Sequence, residues 1–159
     1  MDDEALSLEW LYRICDRMHH SMLMQELDRR NLSGASHPPL LFLLADAQPA
    51  APTQAEIARG LGVSPPTAAV SIRRMERSGL LRKAADGADL RRNRITLTPK
   101  GRRTVRECRA AFDVLDRRMF EGFTDGELGT LRSYYGRMIR NLEAMGAKRP
   151  AVPGGSAKE

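Results

Sequence analysis

The sequence predicts a mainly α fold with one small β-hairpin, and three observations carry that expectation. Apolar residues recur at helical spacing towards both ends of the chain, and Ser, Thr and Pro stand where helices begin. One short stretch, Arg92 to Thr98, changes to a period of two. Composition agrees: 5% aromatic and 29% charged residues suit solvated helices better than packed sheets. At 159 residues and 42% hydrophobic, the chain can bury the core of one domain.

The first helix runs from Leu6 to about Asn31, with Leu11, Ile14, Cys15, Met18 and Met22 on one face and Arg13, Asp16 and Arg17 turned away. Leu32-Ser33-Gly34-Ala35 breaks it. Ser36 is expected to cap a buried second helix, Leu40 to Ala47, with Pro38 and Pro39 in its first turn and Pro49 and Pro52 beyond its end. Thr53-Gln-Ala-Glu56 has the spacing of a capping box, and Gly60 and Gly62 end that third helix after about two turns. Ser64 caps a fourth, with Pro65 and Pro66 in its first turn and Ala68, Ile72 and Met75 facing inward; Ser78-Gly79 stops it. Two short helices joined by Leu61-Gly62-Val63 are the sequence form of a helix-turn-helix.

Leu80 to Lys83 and Arg92 to Thr98 then read as two strands around a polar tip, Asp86 to Arg91, which makes the hairpin a wing. Thr98 caps a long helix with Pro99 at its first position. Val105, Cys108, Phe112, Leu115 and Met119 step along it at coiled-coil spacing. After a break at Gly122 to Gly126, Leu128, Leu131, Tyr135, Met138, Leu142 and Met145 repeat the pattern. So small a domain has little else for two seams to bury against, which favours a homodimer interface that also uses the first helix over packing within the chain. The expected layout is an N-terminal dimerisation helix (1–35), a winged helix-turn-helix (36–98), C-terminal dimerisation helices (99–145) and a disordered tail (146–159).

Charge is unevenly placed. From Arg59 to Arg109, 14 Lys and Arg stand against four acids, a net +10; with a total of +6, the remainder carries −4. A basic middle between neutral or acidic ends fits a polyanionic partner. The longest apolar run, Leu40 to Ala45, is far too short to span a bilayer, and Met1-Asp2-Asp3-Glu4 is acidic where a secretory signal is basic. Cys15 and Cys108 cannot build a disulfide framework, so a reducing cytoplasm is expected. There is no phosphate-cradling glycine loop, zinc-protease motif or nucleophile elbow, and neither catalysis nor a cofactor is expected.

The run Thr53-Gln-Ala-Glu-Ile-Ala, Leu61-Gly-Val-Ser64 and Gly79-Leu80-Leu81, followed by Asp89-Leu-Arg91 and Leu97-Thr-Pro-Lys-Gly101, resembles the MarR family of bacterial transcription regulators. The resemblance extends over roughly residues 6 to 145. It implies a homodimer, usually a repressor of double-stranded DNA targets, with an effector pocket between dimerisation and DNA-binding parts. In a helix-turn-helix the second helix enters the major groove by its N-terminal end. Here that means Pro65, Pro66, Thr67, Ala69, Val70 and, further along, Arg73, with Ser64 as the cap and Arg74 as a candidate phosphate contact. Members often have a basic or polar side chain where this chain has Pro65 and Val70. Lacking Arg, Asn and Gln in its first two turns, the helix should favour thymine methyls over bidentate base pairings. Asp89 and Arg91 match the family's wing tip, Arg91 suited to a narrow minor groove; Arg92 and Arg94 are expected at phosphate or in solvent.

An effector pocket is expected along Leu11, Ile14, Cys15, Met18, His19 and Met22. The commoner reading of these residues is core packing, and of both cysteines a small buried hydrophobe. Cys15 also occupies the place of a peroxide-sensing cysteine in one branch of the family, and Cys15, His19, His20 and His37 could seed a metal site, although no strong ligand spacing is present. The alternatives to a DNA-binding regulator are therefore a thiol- or metal-sensing version of it, and a winged-helix protein-interaction module without DNA binding.

Overall fold

The computed structural model describes residues 5–32, 34–35, 37–47, 51–85 and 93–150. The order is α1 (Leu8–Arg29), α2 (Pro38–Asp46), α3 (Gln54–Leu61), α4 (Pro65–Arg77), β1 (Leu81–Ala85), β2 (Asn93–Leu97), α5 (Pro99–Met119) and α6 (Asp125–Ala144). Local chemistry sets most of the starts. Ser7, Thr53, Ser64, Thr98 and Thr124 each cap a helix by accepting from a backbone N–H of its first turn. Thr53 and Thr124 form full capping boxes with Glu56 and Glu127. The one at Thr124 was not anticipated from the sequence, and it starts α6 inside the expected break, with Gly126 already helical. For α2 the cap is His37, not Ser36; it makes no side-chain cap bond, and burial of Leu40, Leu41, Phe42 and Leu44 holds the helix instead.

The two strands pair antiparallel, Leu81 with Leu97 and Lys83 with Ile95, so Leu81, Ile95 and Leu97 enter the core. Leu40, Leu41, Ile57, Ile72, Met75 and Cys108 are buried beside them. Helices α1 and α2 both pack on α5, and α3 packs on α4 and α2. The fold is therefore mainly α with a two-stranded wing, as the periodicity predicts.

The apolar seams need a correction. Val105, Cys108 and Ala111 of α5 are buried within the chain, so the first half of that seam is core and not a free dimer face. On α1 the buried residues are Leu23 and Leu27, near its C-terminal end. The predicted stripe lies elsewhere on the helix: Cys15, Met18 and Met22 are exposed, and Leu11 and Ile14 only half-buried. The reading of Cys15 as a buried hydrophobe therefore fails within a single chain. No residue of α6 is buried, and Tyr134, Tyr135, Met138, Ile139 and Leu142 all stand in solvent.

The joint between α4 and α5 makes an unusual demand on sequence. A β-carbon on Gly101 would run into the Leu80 carbonyl oxygen and also meet Leu97 Cδ2 at 3.1 Å. In an ordinary helix Gly to Ala gains about 0.5–1 kcal/mol. Here the sign reverses, and Gly101→Ala should cost about 2–3 kcal/mol, since backbone cannot yield as a side chain can. Denaturant unfolding of both proteins checks this; a more stable variant would refute the close approach.

Candidate nucleic-acid interface

Helix α4 divides into two faces. Ala68, Ile72 and Met75 are buried, while Pro65, Pro66, Thr67, Val70, Arg73 and Arg74 are exposed and Ala69 is half-buried. The side chains predicted to contact DNA therefore share the outward side of the helix, from Pro65 and Pro66 in its first turn to Arg74 in its last. Its cap is firm: Ser64 Oγ accepts from the Thr67 N–H at 3.3 Å and lies 2.7 Å from Thr67 Oγ1. The Thr67 hydroxyl is thus already engaged, which leaves its methyl as the freer group. Val70, at 56% exposed, is an apolar side chain held in water with no packing reason to be there.

Not every basic residue of the central region faces outward. Arg94 was expected at phosphate or in solvent. Instead its Nη1 donates to the Ala51 carbonyl at 3.0 Å and to Glu56 Oε2 at 3.4 Å. That tie fastens the wing to the start of α3, where Thr53 bridges Arg94 and Ile95 N–H donates to the Pro52 carbonyl. Glu56 sits at the centre. Its carboxyl is held below the ordinary range, first by the Thr53 N–H, then by the Thr53 hydroxyl, with Arg94 adding to both. Lys83 pairs with Glu76 at 3.0 Å, and Arg82 Nε donates to Thr96 Oγ1 at 3.2 Å. Arg73, Arg74 and Arg77 remain exposed on α4. Asp89, Arg91 and Arg92 lie outside the described residues.

The far end of α4 is locked to α5. Thr98 Oγ1 donates to the Gly79 and Leu80 carbonyls at 2.7 and 3.2 Å, and Lys100 Nζ donates to the Ser78 carbonyl at 2.8 Å. The side chains at 98 to 101 thus fix the direction in which the reading end of α4 points.

Residues 30–92 match the model of the MarR family. The chain carries a MarR-type winged helix. Among solved structures, the MepR–DNA complex of S. aureus is 22% identical, with a TM-score of 0.76 over 86% of this chain and 98% of that one. The transcriptional regulator PA3341 is 28% identical, with a TM-score of 0.70 over 87% and 99% of the two chains. The transcriptional repressor CouR, bound to a 23-mer DNA duplex, is 20% identical, with a TM-score of 0.73 over 84% and 92%. A comparison with curated proteins gave no match.

The MarR-type region adjoins a cleft of about 370 Å³ between α2, β2 and α5, with Leu44, Ile95, Leu97 and Val105 as apolar wall and Arg102 and Arg106 at its edge. The expected effector residues on α1 do not line it. Met22 borders a crevice of about 30 Å³ against α5, and Leu11, Ile14, Cys15, Met18 and His19 line neither that crevice nor the cleft. Among the described residues no group of three or more His, Cys, Asp or Glu is placed to hold a metal ion, and no helix is long and apolar enough to cross a membrane.

The two cysteines differ in kind. Cys15 is exposed in the chain, whereas burial, with Glu107 adding, pushes the Cys108 thiol from its ordinary 9.0 up to about 11. A raised folded-state value means the unfolded chain releases this proton first, so Cys108 contributes stability that is full below pH 9 and lost as pH rises towards 11. Cys108 should resist maleimide at pH 8 until the protein unfolds, read by mass of the labelled peptides. Labelling of native Cys108 at the rate of a free thiol would contradict its burial.

Proposed function

We propose that this chain is a homodimeric transcription regulator that binds double-stranded DNA at an inverted repeat, acts as a repressor and answers to a small-molecule effector in the cytoplasm, with no catalytic step. The observation that carries the reading is the outward face of α4: exposed Pro65, Pro66, Thr67, Val70, Arg73 and Arg74 on a helix whose other face is core. A helix-turn-helix uses that end to enter the major groove. The MepR and CouR structures, similar in fold, hold DNA.

A dimer is supported by what the chain leaves uncovered. Trp10, Tyr12, Met18 and Met22 of α1 and Tyr134, Tyr135, Met138 and Leu142 of α6 are exposed apolar or aromatic side chains on the two terminal helices. Soluble monomers seldom leave so many large apolar and aromatic side chains uncovered on two helices. The dimerisation part is then α1, the distal half of α5 and α6, while α2 to β2 form the DNA-binding part. The cleft between α2, β2 and α5 is where an effector would act, because it lies between the DNA-binding part and the first half of α5, the helix that runs on into the dimerisation part.

Base reading under α4 is proposed to rest on methyl contacts, with Arg73 and Arg74 on phosphate and Arg91 of the wing in the minor groove. Replacing the thymines under α4 by uracil removes one methyl each and should weaken binding about fourfold per site, from about 0.8 kcal/mol per buried methyl. Fluorescence anisotropy on matched duplexes measures it. Indifference to uracil together with loss on guanine replacement would refute methyl reading. No binding to any duplex at low salt would instead favour a protein-interaction module.

A further inference from the structure

The segment that follows α6, as far as Pro150, returns to the turn of the helix-turn-helix. Helix α6 closes with Gly146 at φ 98, its N–H donating to the Glu143 carbonyl at 2.9 Å, while Ala147 N–H donates to the Leu142 carbonyl at 3.0 Å. Residues 147–150, the first part of the expected tail, are described beyond this cap; residues 151–159 lie outside the described residues. Arg149 folds back on the helix: Nε donates to Glu143 Oε1 at 2.9 Å and Nη2 to Oε2 at 3.0 Å. Such a two-point fork fixes direction as well as partner. It sets Pro150 against the turn between α3 and α4, where a β-carbon built on Gly62 would stand 3.6 Å from Pro150 Cβ.

That turn is a functional place. Gly62 takes φ 65 and lies two residues before Ser64, the cap of the reading helix, with exposed Arg59 just before it on α3. Consecutive Cα atoms are about 3.8 Å apart, so Lys148 stands within two such steps of Pro150. Its side chain is exposed and has no hydrogen-bond or ion-pair partner among the described residues. Arg149 is neutralised by Glu143, which leaves Lys148 as the net cation of the segment.

We propose that residues 147–150 are a further part of the DNA-facing surface, in which Lys148 contacts a phosphate beside the groove that α4 enters and Arg149 is a positioning residue. The inference rests on the DNA-binding reading above. Charge favours this partner over a protein one: an ammonium on a flexible stem is a point-charge phosphate binder, and its segment ends at Pro150 against the turn that leads into the reading helix. The Glu143–Arg149 pair is too exposed to add much stability, so its role is direction.

The test is a salt titration of duplex binding by full-length wild type, Lys148→Ala, Lys148→Arg and Glu143→Gln. Lys148→Ala should bind several-fold more weakly at low salt. Its log–log salt slope should be shallower by about 0.9 per lost contact, hence about two for a dimer. Lys148→Arg should restore the slope, and Glu143→Gln, which loosens the fork, should give an intermediate loss. Thermal melting should be unchanged for Lys148→Ala, so a fall in binding cannot be ascribed to unfolding. If Lys148→Ala binds with wild-type affinity and slope, or more tightly because the segment shields the turn, the proposal is overturned while DNA binding stands. If wild type itself binds no duplex at any salt, the DNA-binding reading falls, and this one with it.

Discussion

Three consecutive carbonyl oxygens at the end of α4, those of Ser78, Gly79 and Leu80, are all taken up by the first turn of α5. Lys100 and Thr98 supply the donors, and the Thr98 N–H returns to the Leu80 carbonyl at 3.0 Å. Gly101 makes the contact possible by bringing no side chain to a place where Leu80 already stands. The same Thr98 hydroxyl accepts from the Gly101 N–H at 3.0 Å, so one side chain both caps α5 and holds α4. Everything outward on α4 inherits its direction from this joint. A rotation of α5 relative to the core would carry the reading face with it.

The wing is held by an analogous economy of charge. Arg94 spans from β2 to the Ala51 carbonyl and to Glu56, whose carboxylate already serves the cap of α3. Arg109 reaches Asp46 at 2.6 Å and lies over the Phe42 ring at 5.7 Å, tying α5 to the end of α2. The charged side chains of these pairs are 29–46% exposed, so their value is orientation more than stability. A regional excess of positive charge is therefore partly structural. Of the rest, the cations on α4 and, as proposed, Arg91 of the wing and Lys148 of the segment after α6 are the ones offered to a polyanion.

What could be read from the sequence was whatever depends on neighbours along the chain. Thr53 with Glu56, Ser64 with two prolines, and Thr98 with Pro99 announce helix starts because the capping bond spans only three residues. The inward face of α4 was legible for the same reason, since Ala68, Ile72 and Met75 follow helical spacing. Long-range choices were not. Spacing identifies the stripe at Leu11, Cys15, Met18 and Met22, but not whether this chain or another covers it. Heptad spacing in α5 likewise cannot say that Val105 and Cys108 are buried within the chain itself. Arg94 looked like a surface cation, because its partners Ala51 and Glu56 lie about forty residues earlier. The Thr124–Glu127 box carried a local signal that the nearby glycines obscured.

The central claim is that two copies of this chain present two α4 helices to one duplex. Selection of bound duplexes from a random DNA pool tests it most directly, because it assumes neither operator nor effector. The account predicts an inverted repeat whose half-site centres lie about 10–10.5 base pairs apart, or a multiple of one helical turn, with A·T-rich flanks under the wings. Enrichment of a single unrepeated half-site, or of no sequence at all, would contradict it.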